Sequence, residues 1–537
     1  MKKIIFIISV LLLSIIAVTW LYFKNLSTSE NSSESVFKVI PIDASLIFEY
    51  KNENSFYDIF KDFSLFENVL GKNKIEQLAL LKRFFIDDSG FSNRFSGTNL
   101  FFSIHKTNKN ETEVLIIAPF IIKQNTEEFI GNIKSKYKII PDNDSKQPIY
   151  QLAFDNQSQF YFMLHQSLLI GSFNKDLVSH SRNQITNGKD SAEFKIDFKS
   201  PRNKNSIANL YINFSKLPDL LNNFTDKKNP EKTFGLKSME AFASLNINYK
   251  SDAFMFSGVT TVNTKAINYF NLFLDQQPGN NTLKDILVDD AASYNFFYIS
   301  NWNKFKNGLN LLFEQRKETQ KMKAQLKNID LSHSIHIEKE LMPILGNEFG
   351  VMQLASGDKI GLLKTKNTNR LSFLLSTIST ENDEEIRHFD DSNLLYYYLG
   401  DPFKHFTRPY YAIIENHLVV ANNVSALRRF LADYRNQRFL GRTDNNINFQ
   451  QYLSNEGNVF YFIHNSNAKG IIKSFLSQPA FNNFKSDDFD WKNVYGLSIQ
   501  FSADKDKFFT NFYMNKIPKQ QNNIPTVDSL FIDSLTQ

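Results

Sequence analysis

The middle of this chain places two histidines and two carboxylates close together: His333, His336, Glu338 and Glu340. Histidines three positions apart share a helical face and can hold a divalent metal if a third ligand arrives. The same stretch also reads as alternating, and in a strand His336 and Glu338 would share a face that excludes His333. An exposed helix start is the default expectation, and no metal ligand is assigned. The acidic pairs Asp87-Asp88, Asp289-Asp290 and Asp390-Asp391 offer carboxylates for acid/base work or calcium. None has EF-hand spacing, and adjacent residues on a strand point to opposite faces, so turns and solvated edges are expected. The chain contains no GxxxxGK[ST], GxGxxG, GxSxG or HExxH pattern. These are the arrangements that cradle phosphates, bind dinucleotides, raise a nucleophilic serine or hold a catalytic zinc. No catalytic, cofactor-binding or metal residue is therefore assigned, and no cofactor is expected. The sequon Asn110-Glu111-Thr112 is of a kind expected by chance in a chain this rich in Asn.

Composition narrows the classes further. The 537 residues carry a net charge of +5 and no cysteine. Disulfides, thiolate metal sites and cysteine nucleophiles are excluded. The densest basic cluster is Arg316, Lys317, Lys321, Lys323 and Lys327, interrupted by Glu314 and Glu318. It reads as the solvated end of a long helix from Trp302 to about Ile329, and nucleic acid is not an expected partner. The 53 Phe favour sheet-rich, well-filled cores.

Met1-Lys2-Lys3 precedes an uncharged apolar run, residues 4–23. A helix of that length spans roughly 30 Å, the hydrocarbon thickness of a bilayer. Trp20 and Tyr22 would sit at its interface, and the two lysines favour an N-terminus inside. The site at Ala17-Val18-Thr19 is a poor cleavage signal, so an uncleaved anchor is expected. The division is then a cytoplasmic 1–3, an anchor 4–23, a tether 24–35, a first domain 36–265, a linker 266–283, a second domain 284–517 and a flexible tail 518–537.

The two large segments echo each other. Asp43-Ala44 before a strand is matched by Asp290-Ala291. A helix with Phe56, Ile59, Phe60 and Phe63 is matched by Trp302, Phe305, Leu309 and Leu312. Gly97 is matched by Gly346, and a helix start at Glu127-Glu128 by Glu384-Glu385. The strand-turn-strand of residues 160–171 feeds a helix start at Asn174, as residues 410–421 feed one at Asn423. Each segment adds a strand and helix and closes on a hairpin, 241–261 and 494–514. The expected fold class is α+β: a tandem duplication of two similar domains with antiparallel sheets and packed helices, after an N-terminal transmembrane helix.

Ile40-Pro41-Ile42-Asp43-Ala44-Ser45, the Asn423-Ser425-Leu427 helix start and Asn458-Val459-Phe460-Tyr461 resemble an uncharacterised family of bacterial membrane-anchored envelope proteins. The resemblance covers most of residues 36–516 and implies localisation and fold, with no activity to carry over. The expected localisation is the inner membrane, single-pass, with the bulk periplasmic. The leading expectation is a non-enzymatic protein acting in protein interaction or as a scaffold, with a protein partner in the envelope. A carrier of a lipophilic ligand, lipid or peptide, in an apolar groove between facing sheets is the alternative. A metal-dependent hydrolase is the weaker one.

Overall fold

The computed structural model describes residues 35–51, 98–106, 112–120, 126–142, 147–154, 158–186, 208–222, 239–250, 253–485 and 494–517, with 76–77, 80–81, 95 and 224–225 besides. The apolar run 4–23, the tether up to residue 34, the tail 518–537, Asp87-Asp88 and the first predicted helix around Phe56–Phe63 lie outside the described residues. Among the described residues no helix is long and apolar enough to cross a membrane.

Among the described residues twenty strands form one antiparallel sheet. In the first half they are β1 Leu46–Lys51, β2 Asn99–Lys106, β3 Thr112–Pro119, β4 Ile139–Pro141, β5 Tyr150–Ala153, β6 Gln159–His165, β7 Leu168–Ser172, β8 Ala208–Asn213, β9 Ala241–Lys250 and β10 Ala253–Val262. In the second they are β11 Ala291–Tyr298, β12 Leu345–Leu354, β13 Lys359–Thr365, β14 Ser379–Glu381, β15 Arg387–Phe389, β16 Tyr410–Ile414, β17 His417–Ala421, β18 Val459–His464, β19 Val494–Asp504 and β20 Lys507–Lys516. The pairings of the first half run β4-β5-β6-β7-β3-β2-β1-β8-β9-β10. Those of the second run β14-β15-β16-β17-β13-β12-β11-β18-β19-β20. The spatial order is thus the same in both halves, strand for strand.

The halves do not carry separate sheets. β10 and β20 pair along their length, from Ala253↔Asn515 to Thr261↔Lys507. Each half otherwise ends on a long strand with a row of unpaired N–H and C=O groups, and the pairing covers both edges. Thr260 and Thr510, both buried, share a 2.6 Å hydroxyl hydrogen bond across the join. The two sheets meet edge to edge, so the join itself creates no groove between facing sheets. The stretch expected as a linker is packed: Phe273 is fully buried, Gly279-Asn280 pair with Glu456-Gly457, and Leu283 enters the core.

Helices cover both faces. α1 Thr126–Lys136 and α2 Lys175–Thr186 lie on opposite faces of the first half. Phe129 and Ile133 join one core with Ile116 and Phe162, whereas Leu177 and Val178 join the other with Ile117 and Ile170. Strand neighbours alternate faces, which is why Ile116 and Ile117 part company. The second half has α3 Trp302–Gln315, α4 Thr319–His333, α5 Ile337–Leu341, α6 Thr368–Thr377 and the short α7 Leu394–Leu399 on one face. On the other face are α8 Val424–Arg435 and α9 Asp444–Gln450.

Two local expectations are corrected. The long helix from Trp302 breaks at Arg316–Glu318, because Lys317 takes a left-handed φ of 60° and ends the helical ladder. Glu384-Glu385 start no helix. They lie in the β14–β15 loop, where the Asp383 carboxylate accepts the N–H groups of Glu385 and Ile386 and closes a turn. The helix in the place of α1 is α6, directly after β13 as α1 follows β3.

Candidate functional site

The histidine cluster does not assemble. The left-handed Ser334 ends α4 after His333 and turns the chain away. His333 Nε2 meets Asp391 Oδ2 at 3.0 Å, while His336 is exposed and lies 3.8 Å from Asp330. Glu340 pairs with Arg370 instead. Asp390 accepts from the Thr380 hydroxyl. Of the basic cluster, Arg316 is bound by both Asp401 oxygens, at 2.5 and 2.8 Å, and Lys321, Lys323 and Lys327 stay on the exposed face of α4.

Four other polar clusters stand out among the described residues, and pattern reading missed three of them. The first is Asp43, His105 and Ser103. His105 Nδ1 lies 3.0 Å from Asp43 Oδ1 and its Nε2 lies 2.8 Å from Ser103 Oγ. The order is that of a serine hydrolase triad, in which the imidazole takes the hydroxyl proton and the carboxylate orients the ring. Ser103 and His105 stand two apart on β2 and so share a face. Both are fully buried, and Ser103 Oγ faces the Leu115 carbonyl at 3.4 Å. An acyl group has no approach to that hydroxyl. The network instead ties the turn before β1 to β2. Burial raises the Asp43 carboxyl, but the His105 hydrogen bond and charge outweigh it and hold the group below its ordinary value.

The second cluster is a buried carboxylate. Glu49 accepts from Asn99 Nδ2 at 2.8 Å, Asn209 Nδ2 at 3.1 Å and the Tyr211 hydroxyl at 2.5 Å. The third gathers Asp289, Asp290 and Asp433, whose carboxylates lie within metal-ligand reach of one another. Arg429 meets Asp290 at 2.5 Å and Arg438 is bound to Asp433, so arginines already answer the charge. Burial, and the neighbouring carboxylates against Arg429, push the Asp290 carboxyl above its ordinary value.

The fourth joins Lys364, Glu348 and Thr282 beside His417. Lys364 Nζ donates to Glu348 Oε1 and Thr282 Oγ1, both at 2.8 Å, and Thr282 donates its N–H and hydroxyl to Glu348 Oε2. His417 is Lys364's cross-strand neighbour. Lys306 is likewise buried, donating to the Tyr397 carbonyl at 2.9 Å and lying over the Tyr398 ring. Burial lowers its ammonium to about 8. Ser103, His105, Glu49, Glu348 and Lys306 are buried and hydrogen-bonded inside the protein.

The helices of the second half also leave large apolar side chains exposed. Phe373 on α6 is 74% exposed, Leu331 on α4 is 70% and Leu311 on α3 is 54%. All three stand on helices of one layer, over the same face of the second half.

No family model matches the chain, and no curated protein matches it. One solved structure, crystal form I of TP0453, aligns with 44% of this chain and 87% of that chain, at 11% identity and a TM-score of 0.23. At that score the likeness carries no inference about this chain.

Proposed function

We propose that this chain is a non-enzymatic, membrane-anchored envelope protein that acts in protein interaction or as a scaffold, built by tandem duplication of one α+β domain. The observation that carries the interaction reading is the helical layer of α3, α4 and α6. It exposes Phe373, Leu331 and Leu311, while Ser103, His105 and Glu348 are buried and hydrogen-bonded. These are the three most exposed large apolar side chains among the described residues, and a contact surface is built where such side chains join into one patch. The duplication reading is supported by the repeated strand order and by two-residue hairpin turns at matching places. Gln166-Ser167 joins β6 to β7 and Glu415-Asn416 joins β16 to β17, each with a positive φ first, 50° and 49°. The anchor rests on residues 4–23.

The test is site-specific photocrosslinking of the full chain in its native membrane, with the reactive residue at 373, 331 or 311. A discrete adduct of constant mass from these positions, missing when the probe sits at Lys505 in the β19–β20 turn, is expected. If the helical-layer positions give no adduct above that control, the interaction reading fails.

A further inference from the structure

His417 differs from the other described histidines in what surrounds it. The residue is 6% exposed, on β17, and it faces Lys364 across the strand pair. Neither ring nitrogen has a hydrogen-bond partner in good geometry. The backbone of Ile414, its hairpin partner, lies near enough to favour the protonated ring weakly. The Lys364 ammonium is in turn locked onto Glu348 and Thr282. Thr282 opens the short 3-10 helix Thr282–Ile286, part of the strap that leads from the first half into β11. The matching position of the first half, the first residue of β7, is Leu168, an apolar residue that does not titrate.

We infer that His417, Lys364, Glu348 and Thr282 form a proton-operated catch that holds the strap between the halves when the imidazole is neutral and loosens it when the imidazole is charged. A proton on His417 sets a second cation beside Lys364, under cover where screening by water is weak. Both cations then compete for the Glu348 carboxylate, whose other oxygen holds Thr282. Burial and Lys364 disfavour the charged ring, against weaker help from Glu348 and Glu415. Glu415 lies beside the Tyr434 hydroxyl of α8, whose proton it holds in place. The charged groups on residues 276–288 of the strap are Lys284, which donates to Asn455, and Asp285, and Asp289 and Asp290 follow before β11. Burial raises the Asp285 carboxyl, so acid favours the folded form there, and loss of the strap on acidification does not come from it.

The sign follows from linkage. A histidine held below its unfolded value of 6.5 stabilises the fold fully above that pH, and the contribution fades as pH falls beneath it. The experiment is hydrogen exchange of the full-length chain in detergent, read by mass spectrometry and corrected for the intrinsic rate at each pH. Peptides spanning 276–288 should lose protection as pH falls from 7.5 to 5.0, by up to about tenfold per unit, the slope of one proton. Peptides spanning β18 and β19 should not. His417→Leu, which copies Leu168, should make the strap independent of pH. If that chain does not fold, His417→Asn decides the same point. Glu348→Gln should loosen the strap at every pH. A strap whose protection is flat in the native chain, or which keeps its pH dependence in the folded His417 variant, overturns the catch.

Discussion

Asp43 and Asp290 stand at the same place in the two halves and live in opposite surroundings. Each precedes an alanine whose N–H closes the same turn, Ala44 onto the Pro41 carbonyl at 3.1 Å and Ala291 onto the Val288 carbonyl at 3.0 Å. Asp43 then meets a buried histidine and its carboxyl is held down. Asp290 meets a half-exposed arginine, with two further aspartates close by, and its carboxyl is held up. The residues matching Ser103 and His105 in strand register are Met352 and Leu354, both in the apolar core. The backbone turn is common to both halves because the strand order demands it. The side-chain chemistry around it is not, because either an apolar core or a closed polar network leaves the turn satisfied.

Packing shows the same freedom. In the β3–β7 pair Ile116 lies opposite Gly171, and in the matching β13–β17 pair Gly361 lies opposite Val420. Large and small have changed sides. A Cβ on Gly171 would fall 2.2 Å from the Phe160 ring, and one on Gly361 would fall 2.5 Å from Val420 Cγ2 and 2.8 Å from Phe403. The space beside Gly171 is filled by the Phe160 ring and that beside Gly361 by Val420 and Phe403, so each glycine admits a bulky neighbour.

These contrasts can be broken in order of expected effect. Gly361→Ile should cost about 3 kcal/mol or more, since both Val420 and Phe403 must move. Adding Val420→Gly should recover at least about 1 kcal/mol in urea unfolding, a non-additivity that residues in contact show. Simple addition of the two penalties would show that the pairs are not equivalent. His105→Leu, which copies Leu354, should cost about 1–3 kcal/mol, because buried Ser103 and part-buried Asp43 lose their partner. An unchanged midpoint would mean the triad-like network holds nothing. Asp43→Asn and Asp290→Asn should then act with opposite pH signs. The Asp43 contribution is present above 3.8 and is lost as pH falls through its lower folded value. Asp290 has the reverse sign: between 3.8 and its raised folded value, acid favours the folded form. Denaturation midpoints from pH 2 to 7 should show the acid lability shrinking in Asp43→Asn and growing in Asp290→Asn; parallel profiles would erase the contrast. The smallest effect is Arg429→Gln, below about 1 kcal/mol, as for half-exposed ion pairs generally. A larger loss in the same unfolding assay would make Asp290 as integral to its half as Asp43 is.

Much of the local structure was legible in the residues. Asn423 caps α8 by accepting the Ala426 N–H, and Asn174 accepts the Asp176 N–H at the start of α2, as the hairpin-then-helix pattern suggested. The break in the long helix was not legible, since its signal is one lysine in a left-handed conformation. The Asp43–His105–Ser103 network left a partial trace. Ser103 and His105 two apart on a strand point the same way, but Asp43 lies 62 residues before His105. The catch around His417 left none, because Thr282, Glu348, Lys364 and His417 come from four separate segments.

The sequence by itself determined the hairpins of residues 160–171 and 410–421 and the helix starts at Asn174 and Asn423, which depend on neighbours within a few residues. Only the tertiary structure decided that β10 and β20 would pair, fusing two expected sheets into one and packing the presumed linker against it. It also decided which polar residues would meet. Edge pairing and buried polar contacts depend on groups brought together from far along the chain, and a pattern read over a dozen residues carries no record of which distant group will arrive.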